Sequence, residues 1–296
     1  MLLAFLISLL ALQQNIVSPA ISQPAIVNEA IKFEEIKNFP QSLGIKITAK
    51  SALVVDAETD RILFQKNSQQ VLPIASLTKL MTALIILDSK PNWQKEVEYL
   101  ADDFVSTELG QSKLEPAQLK FEVGEKIKIK DLFAATLIKS ANNAVKALVR
   151  QFGNQIFVEE MNRKAKEIGM TRTVFIEPTG IDFKNVSTAE DLAKLIKFIS
   201  EKTEIAKLST TKIYKFSTRD KNGQNKFYQI KNINKLLDSF IKIKMAKTGY
   251  LDEAGYCFAG LVEYNKKKLI IILLGSQSEK ERWQEVKGLA WWVTIN

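Results

Sequence analysis

The sequence predicts an α/β (α+β) fold in which a five-stranded antiparallel sheet is flanked by helices and carries an inserted all-helical lobe. Two observations predict it. Strand-like stretches lie at both ends of the chain with a helical block between them. A helix whose apolar face carries Trp283, Val286, Ala290 and Val293 closes the sequence, ready to back a sheet.

Taken in order, Met1–Leu12 is an almost unbroken apolar run, and no Asp, Glu, Lys or Arg occurs before Glu29. That length suits a signal-peptide core and falls short of the ~20 residues needed to span a bilayer. Residues 1–20 are therefore expected to be a signal peptide, with Ser18 and Ala20 as the small residues of a cleavage site, or an N-terminal membrane tether. Both imply export. The Pro-, Ser-, Gln- and Asn-rich residues 21–45 read as a linker to a domain over 46–296, with its helical lobe inserted at 90–190.

Ser51–Val55 and Arg61–Phe64 flank the polar turn Asp56–Asp60 and predict a β-hairpin. Pro73 is expected to open a helix in its first turn, where a missing N–H costs nothing. Leu77, Leu80, Met81, Leu84 and Leu87 give that helix a buried stripe, and Pro91 closes it. Helices are predicted at Asp131–Lys139, Asn143–Arg150 and Phe157–Ile168, followed by an ordered loop, Gly169–Val186. Ser187-Thr-Ala-Glu190 reads as a capping box starting a helix that runs to Ser200. Strands are then predicted at Lys212–Ser217, Lys226–Lys231, Ile241–Lys247, Tyr256–Tyr264 and Leu269–Leu274. The last is apolar enough that both its faces must be covered. Ser278-Glu-Lys-Glu281 is a second capping box, opening the final helix.

The absence of histidine from all 296 residues excludes several chemistries at once. Neither a Ser-His-Asp nor a Cys-His site can be built within the chain, and zinc loses its commonest ligand. A hydrolase made from this sequence must take its base from Lys, Asp, Glu or Tyr. Cys257 is the single cysteine, so no intramolecular disulfide forms, and its apolar surroundings predict a core thiol. The net charge of +9 suits an anionic envelope surface or nucleic acid. Its lysines are scattered and do not cluster with aromatics on one element, so no nucleic-acid partner is expected.

Three short motifs can carry catalysis. Ser76-Leu-Thr-Lys79 lies near the start of the Pro73 helix, and a spacing of three puts both side chains on one face, close enough to share a proton. Burial beside another cation would lower the Lys79 pKa and make it a base for Ser76. Ser209-Thr-Thr-Lys212 and Ser239-Phe-Ile-Lys242 share the spacing but fall where strands or strand entrances are expected. Ser140-Ala-Asn142 sits at a junction of two helices, where a hydroxyl can relay a proton and an amide can hold a carbonyl, or where both can simply cap. Lys247-Thr248-Gly249 ends a strand: Lys247 and Thr248 can hold a carboxylate, and Gly249 admits close backbone approach. The Tyr250 N–H, paired with that of Ser76, can form an oxyanion hole.

Each motif alone is common; the ordered trio, with a large helical insert between first and third, is shared by β-lactamases and penicillin-binding proteins. From about Ala49 to Val293 the chain resembles the low-molecular-mass serine D-alanyl-D-alanine carboxypeptidases and endopeptidases. The likeness rests on Pro73–Ala83, Glu177-Pro-Thr-Gly180, Ser187–Ala193 and Lys247–Tyr256 besides the trio. It implies a DD-peptidase/β-lactamase-like fold and a D-alanyl-D-alanine carboxypeptidase, with a crosslink-cleaving D,D-endopeptidase as the alternative. It also implies that Ser76 is the acylated nucleophile, Lys79 its base, Ser140 and Asn142 the helical wall, and Lys247 with Thr248 the carboxylate site. Peptidoglycan stem peptides are the implied substrates, β-lactams the implied covalent inhibitors, and no cofactor or metal is implied. The expected location is extracytoplasmic, secreted or tethered through the N-terminus. Many relatives carry a second, β-rich domain, which this chain is expected to lack because it ends directly after the closing helix. Two rivals keep the same cleft: a β-lactamase using Glu177 to deacylate, and a catalytically silent wall-binding protein.

Overall fold

The computed structural model describes residues 33–35, 45–106 and 117–295. The expected leader, 1–20, and most of the expected linker lie outside them. Within that linker, β1 (Glu34–Glu35) is a short strand. The predicted hairpin forms as β2 (Ser51–Asp56) and β3 (Arg61–Lys66), with β1 parallel to the start of β3. Its turn closes on Asp56, whose carboxylate accepts the N–H groups of Glu58 and Thr59, each at 3.0 Å.

Pro73 is not in the first turn of a helix. It lies in the two-residue strand β4 (Leu72–Pro73), and helical structure begins with a 3-10 turn, Ala75–Leu77, that runs into α1 (Thr78–Asp88). Leu77, Leu80, Met81 and Leu84 are buried as the spacing predicts. Two unanticipated strands, β5 (Glu96–Glu98) and β6 (Lys126–Lys128), precede the helices α2 (Ile129–Ile138), α3 (Asn142–Val149) and α4 (Asn154–Glu167). β7 (Val186–Ser187) then pairs antiparallel with β4.

α5 (Ala189–Ile199) is capped one residue later than the sequence suggested: the Thr188 side chain accepts the Asp191 N–H at 3.1 Å. Ser187 is unavailable because its hydroxyl bonds that of Thr173 at 2.7 Å, while the Glu190 carboxylate accepts from Ser68 at 2.7 Å. α6 (Thr203–Thr210) was not anticipated. The rest follows the predicted order: β8 (Ile213–Arg219), β9 (Asn225–Lys231), β10 (Lys242–Leu251), β11 (Gly255–Tyr264), β12 (Lys267–Ser276) and α7 (Glu279–Ile295). Ser278 caps α7 as expected, accepting the Glu281 N–H at 3.1 Å.

The main sheet has the order β1-β3-β2-β12-β11-β10, its five long strands antiparallel throughout. β8 and β9 do not join it. They pair with each other and with β6 in a separate four-stranded sheet, so the inserted lobe is not all-helical. Strand alternation explains why the main sheet is covered on both sides. On β12, Leu269, Ile271 and Leu273 pack in one cluster with Trp283, Val286, Leu289 and Ala290 of α7. The intervening Ile270, Ile272 and Leu274 pack in another with α1 and α5. Each such aliphatic side chain contributes roughly 1.5–3 kcal/mol on full burial. β10 is left at one edge of the sheet, lying against the 3-10 turn that carries Ser76.

Candidate active site

Ser76 sits at the middle of the 3-10 turn, immediately ahead of α1, where backbone N–H groups and the positive end of the helix dipole converge. The turn is tightly constrained. Ala75 takes a φ of +47°, and two glycines press against it. A Cβ on Gly180, whose φ is +78°, would stand 2.1 Å from the Ala75 carbonyl oxygen; one on Gly249 would stand 3.0 Å from the Ser76 nitrogen. No side chain fits at the first distance and the second leaves it little room, so these positions bring a loop and the β10 edge directly onto the serine.

Lys79 projects from the first turn of α1 and is fully buried. Its ammonium donates to Ser76 Oγ at 2.9 Å, to Asn142 Oδ1 at 2.7 Å and to the Thr179 carbonyl. Burial brings its pKa down from 10.5 to about 7, against an opposing pull from the Glu177 carboxylate. Neutral amine is thus accessible at physiological pH, within hydrogen-bond reach of a hydroxyl. Asn142 owes its position to the start of α3, where its own N–H donates to the Ala117 carbonyl at 2.7 Å.

Across the cleft, the buried Lys247 of β10 donates to Ser140 Oγ at 2.9 Å and to the Thr248 carbonyl at 2.8 Å. Ser140 holds a φ of +61° in the sharp α2–α3 junction, which places its hydroxyl against a strand 107 residues away. Burial depresses the Lys247 pKa, and repulsion from Lys79 and Arg282 depresses it further. The repulsion between the two buried lysines is mutual, and on Lys247 it adds to the effect of desolvation. Thr248 is buried beside it, and Tyr250 is half-buried at the strand's end, its ring 4.3 Å from that of Tyr256.

The three motifs are therefore brought together: Lys79 bridges the first and second, and Lys247 bridges the second and third. The two decoy motifs are occupied elsewhere. Ser209, buried at the end of α6, donates to Ala206 O at 3.1 Å, and Lys212 pairs with Asp238 at 2.5 Å. Ser239 donates to Leu236 O at 2.7 Å, and Lys242 lies 3.6 Å from Glu263. Cys257 is buried on β11, with its pKa pushed up to about 11 by desolvation, as a core thiol should be.

Two participants escaped the sequence reading. Arg282 of α7 is 5% exposed, donates to the carbonyls of Gly249 at 3.1 Å and Cys257 at 3.4 Å, and stands behind Lys247. Its signal was present: 282, 286, 289 and 293 share one helical stripe, so a charge on an apolar face needed a partner. The second is the Thr179 carbonyl, which the loop 177–182 supplies to Lys79 and which no side-chain motif signals.

Comparison with known proteins identifies the family and the fold. A family model described as D-alanyl-D-alanine carboxypeptidase matches residues 36–278. A D-alanyl-D-alanine endopeptidase of Pseudomonas aeruginosa is 31% identical over 84% of this chain and 78% of its own length. D-alanyl-D-alanine carboxypeptidase DacF of Bacillus subtilis is 31% identical over 80% of this chain and 60% of its own. The Streptomyces K15 DD-transpeptidase superposes with a TM-score of 0.79 at 25% identity, covering 86% of this chain and all of that one. Penicillin-binding protein D2 of Listeria monocytogenes, solved with cefotaxime bound, does so with a TM-score of 0.71 at 28% identity over the same shares. With a family model matched over most of its length and its fold shared with solved penicillin-binding proteins, the chain belongs to the D-alanyl-D-alanine carboxypeptidase family of serine peptidases.

Proposed function

We propose that the protein is a serine D-alanyl-D-alanine peptidase that acts on peptidoglycan stem peptides through an acyl-enzyme on Ser76. The observation that carries this reading is the 2.9 Å bond from Lys79 Nζ to Ser76 Oγ, on a lysine whose burial brings its pKa to about 7. In the neutral form, Lys79 takes the Ser76 proton as Oγ attacks the penultimate D-alanine carbonyl. The resulting oxyanion lies toward the N–H groups of Ser76 and Tyr250. Collapse breaks the C–N bond, and the departing amine receives a proton from the Lys79 ammonium, with the Ser140 hydroxyl as relay. Lys247 and Thr248 hold the terminal carboxylate. Water then attacks the ester, giving its proton to Lys79, and the serine is restored.

The carboxypeptidase reaction releases terminal D-alanine; the endopeptidase reaction cuts a D,D-crosslink with the same residues. The endopeptidase reading is favoured by relatives bearing that name in Pseudomonas aeruginosa, Escherichia coli and Haemophilus influenzae, at 30–34% identity. Supplying a monomeric pentapeptide and a D,D-crosslinked dimer to the enzyme, and following free D-alanine against monomer formation, separates the two. The β-lactamase alternative loses its base. Both oxygens of the Glu177 carboxylate are engaged by N–H and O–H donors of its own loop, which leaves no free lone pair aimed at water.

Stem peptides of the wall place the reaction outside the cytoplasm. In this reading residues 1–20 export the protein, as a cleaved leader or a retained membrane tether, 21–45 link, and 46–296 form the catalytic domain. Among the described residues no helix is long and apolar enough to cross a membrane.

A further inference from the structure

The loop 177–182 is laced from both sides. On one side α1 presents Lys79 and Thr82, three residues apart on one helical face. They donate to the consecutive carbonyls of Thr179 and, at 2.7 Å, Pro178. On the other side the loop's N–H groups converge on a single carboxylate. Glu177 accepts from the N–H of Thr179 at 2.6 Å, of Gly180, of Ile181 at 2.9 Å and of Asp182 at 3.4 Å. It also accepts from the Thr179 hydroxyl at 2.5 Å and from Asn185 Nδ2 at 2.6 Å. Asn185 in turn accepts the Ile74 N–H through its carbonyl at 3.1 Å, which ties the same knot to the approach to Ser76. Peptide dipoles turned so that N–H groups face Glu177 necessarily present the Thr179 carbonyl to Lys79.

We propose that Glu177 is a positioning residue for acylation: by gathering the N–H groups of residues 179–182, it aims the Thr179 carbonyl at Lys79, and its negative charge acts on the Lys79 ammonium across the loop. This rests on Ser76 being the acylated serine. The charged groups around Lys79 are few. The loop contributes Glu177 and β10 contributes Lys247, with Arg282 behind it, while α3 offers the neutral Asn142. Among the described residues, Glu177 is thus the carboxylate whose removal relieves Lys79 of an attraction that favours its proton.

Glu177→Gln tests this, because the amide keeps the shape but turns an NH2 toward N–H donors and deletes the charge. Acylation by a fluorescent penicillin is followed against pH for parent and variant, with thermal melting to confirm folding. The expected result is a rising limb displaced to lower pH by about one unit, with a plateau lowered by about tenfold as the carbonyl loses its aim. Glu177→Asp keeps the charge and shortens the reach. Its limb should stay at the parent's pH while its plateau falls, and it carries the test if Glu177→Gln does not fold. An unchanged limb in folded Glu177→Gln would overturn the proposal, as would a parent-like plateau in Glu177→Asp. Unchanged acylation with a longer-lived adduct would instead make Glu177 a deacylating base. A parent that is never acylated at Ser76 would remove the underlying mechanism, a failure distinguishable from the others because it precedes any comparison of variants.

Discussion

Lys247 Nζ donates to Ser140 Oγ at 2.9 Å, joining the edge strand of the main sheet to the sharp turn between two helices of the lobe. Both groups are buried; desolvation depresses the Lys247 pKa, repulsion from Lys79 and Arg282 depresses it further, and no carboxylate among the described residues pairs with it. A buried cation lacking a counterion is costly to hold, and an incoming anionic group relieves that cost.

A substrate carboxylate is the anion that fits. Lys247→Ala should therefore erase most of the preference for a D-alanyl-D-alanine peptide over its C-terminal amide. A ratio of kcat/KM values falling by about tenfold or more is expected. Parallel kinetics on the two peptides check it, and an unchanged ratio would remove Lys247 from carboxylate recognition.

Lys79→Arg keeps a positive charge but cannot give up its proton. Ser76 acylation should slow by about 10²–10⁴-fold, the usual worth of a positioned general base. Stopped-flow acylation with a fluorescent penicillin, on protein shown to be folded, measures this. A parent-like rate would assign the base to another group.

The parent's own pH dependence has a definite sign. Lys79 is active as the neutral amine, and burial lowers its pKa from 10.5 to about 7. Acylation should rise with pH through a limb centred near 7 and flatten above it. An ordinary exposed lysine would still be climbing at pH 9. A limb centred near 10 would contradict the buried-base account.

Two glycines with the same backbone twist should respond differently. Gly180→Ala puts a methyl 2.1 Å from the Ala75 carbonyl at φ +78°, so both strain and clash oppose it. Loss of acylation together with destabilisation of about 2–4 kcal/mol is expected. Gly223 has φ +81° but nothing within 4 Å of a Cβ, so Gly223→Ala should cost only about 1 kcal/mol and leave acylation intact. Urea unfolding and penicillin labelling of the two variants check the contrast.

Much of this site was legible in the sequence, because its residues come in short motifs whose spacing matches a local geometry. Ser76 and Lys79 share a helical face, and Lys247–Gly249 lies on the edge strand against the Ser76 turn, although that strand, expected to end at the motif, runs on to Leu251. The strands of the main sheet were legible for a similar reason, since Leu269–Leu274 admits no exposed face. What escaped depended on tertiary context. β5 (Glu-Val-Glu) and β6 (Lys-Ile-Lys) each bury a single apolar residue, Val97 and Ile127, and an alternation of three residues is too short to mark a strand. Pro73 looks the same at a helix start and in a two-residue strand, and the pairing with β7 decides between them. The role of Glu177 is written in backbone N–H directions, which side-chain patterns do not encode.

The central claim is that Ser76 is acylated, and intact-protein mass after brief incubation with a penicillin tests it most directly. A single stable adduct of one penicillin mass on the parent, absent from folded Ser76→Ala, is the predicted result. No adduct on a folded parent with the penicillin left intact, or an adduct that survives Ser76→Ala, would contradict it.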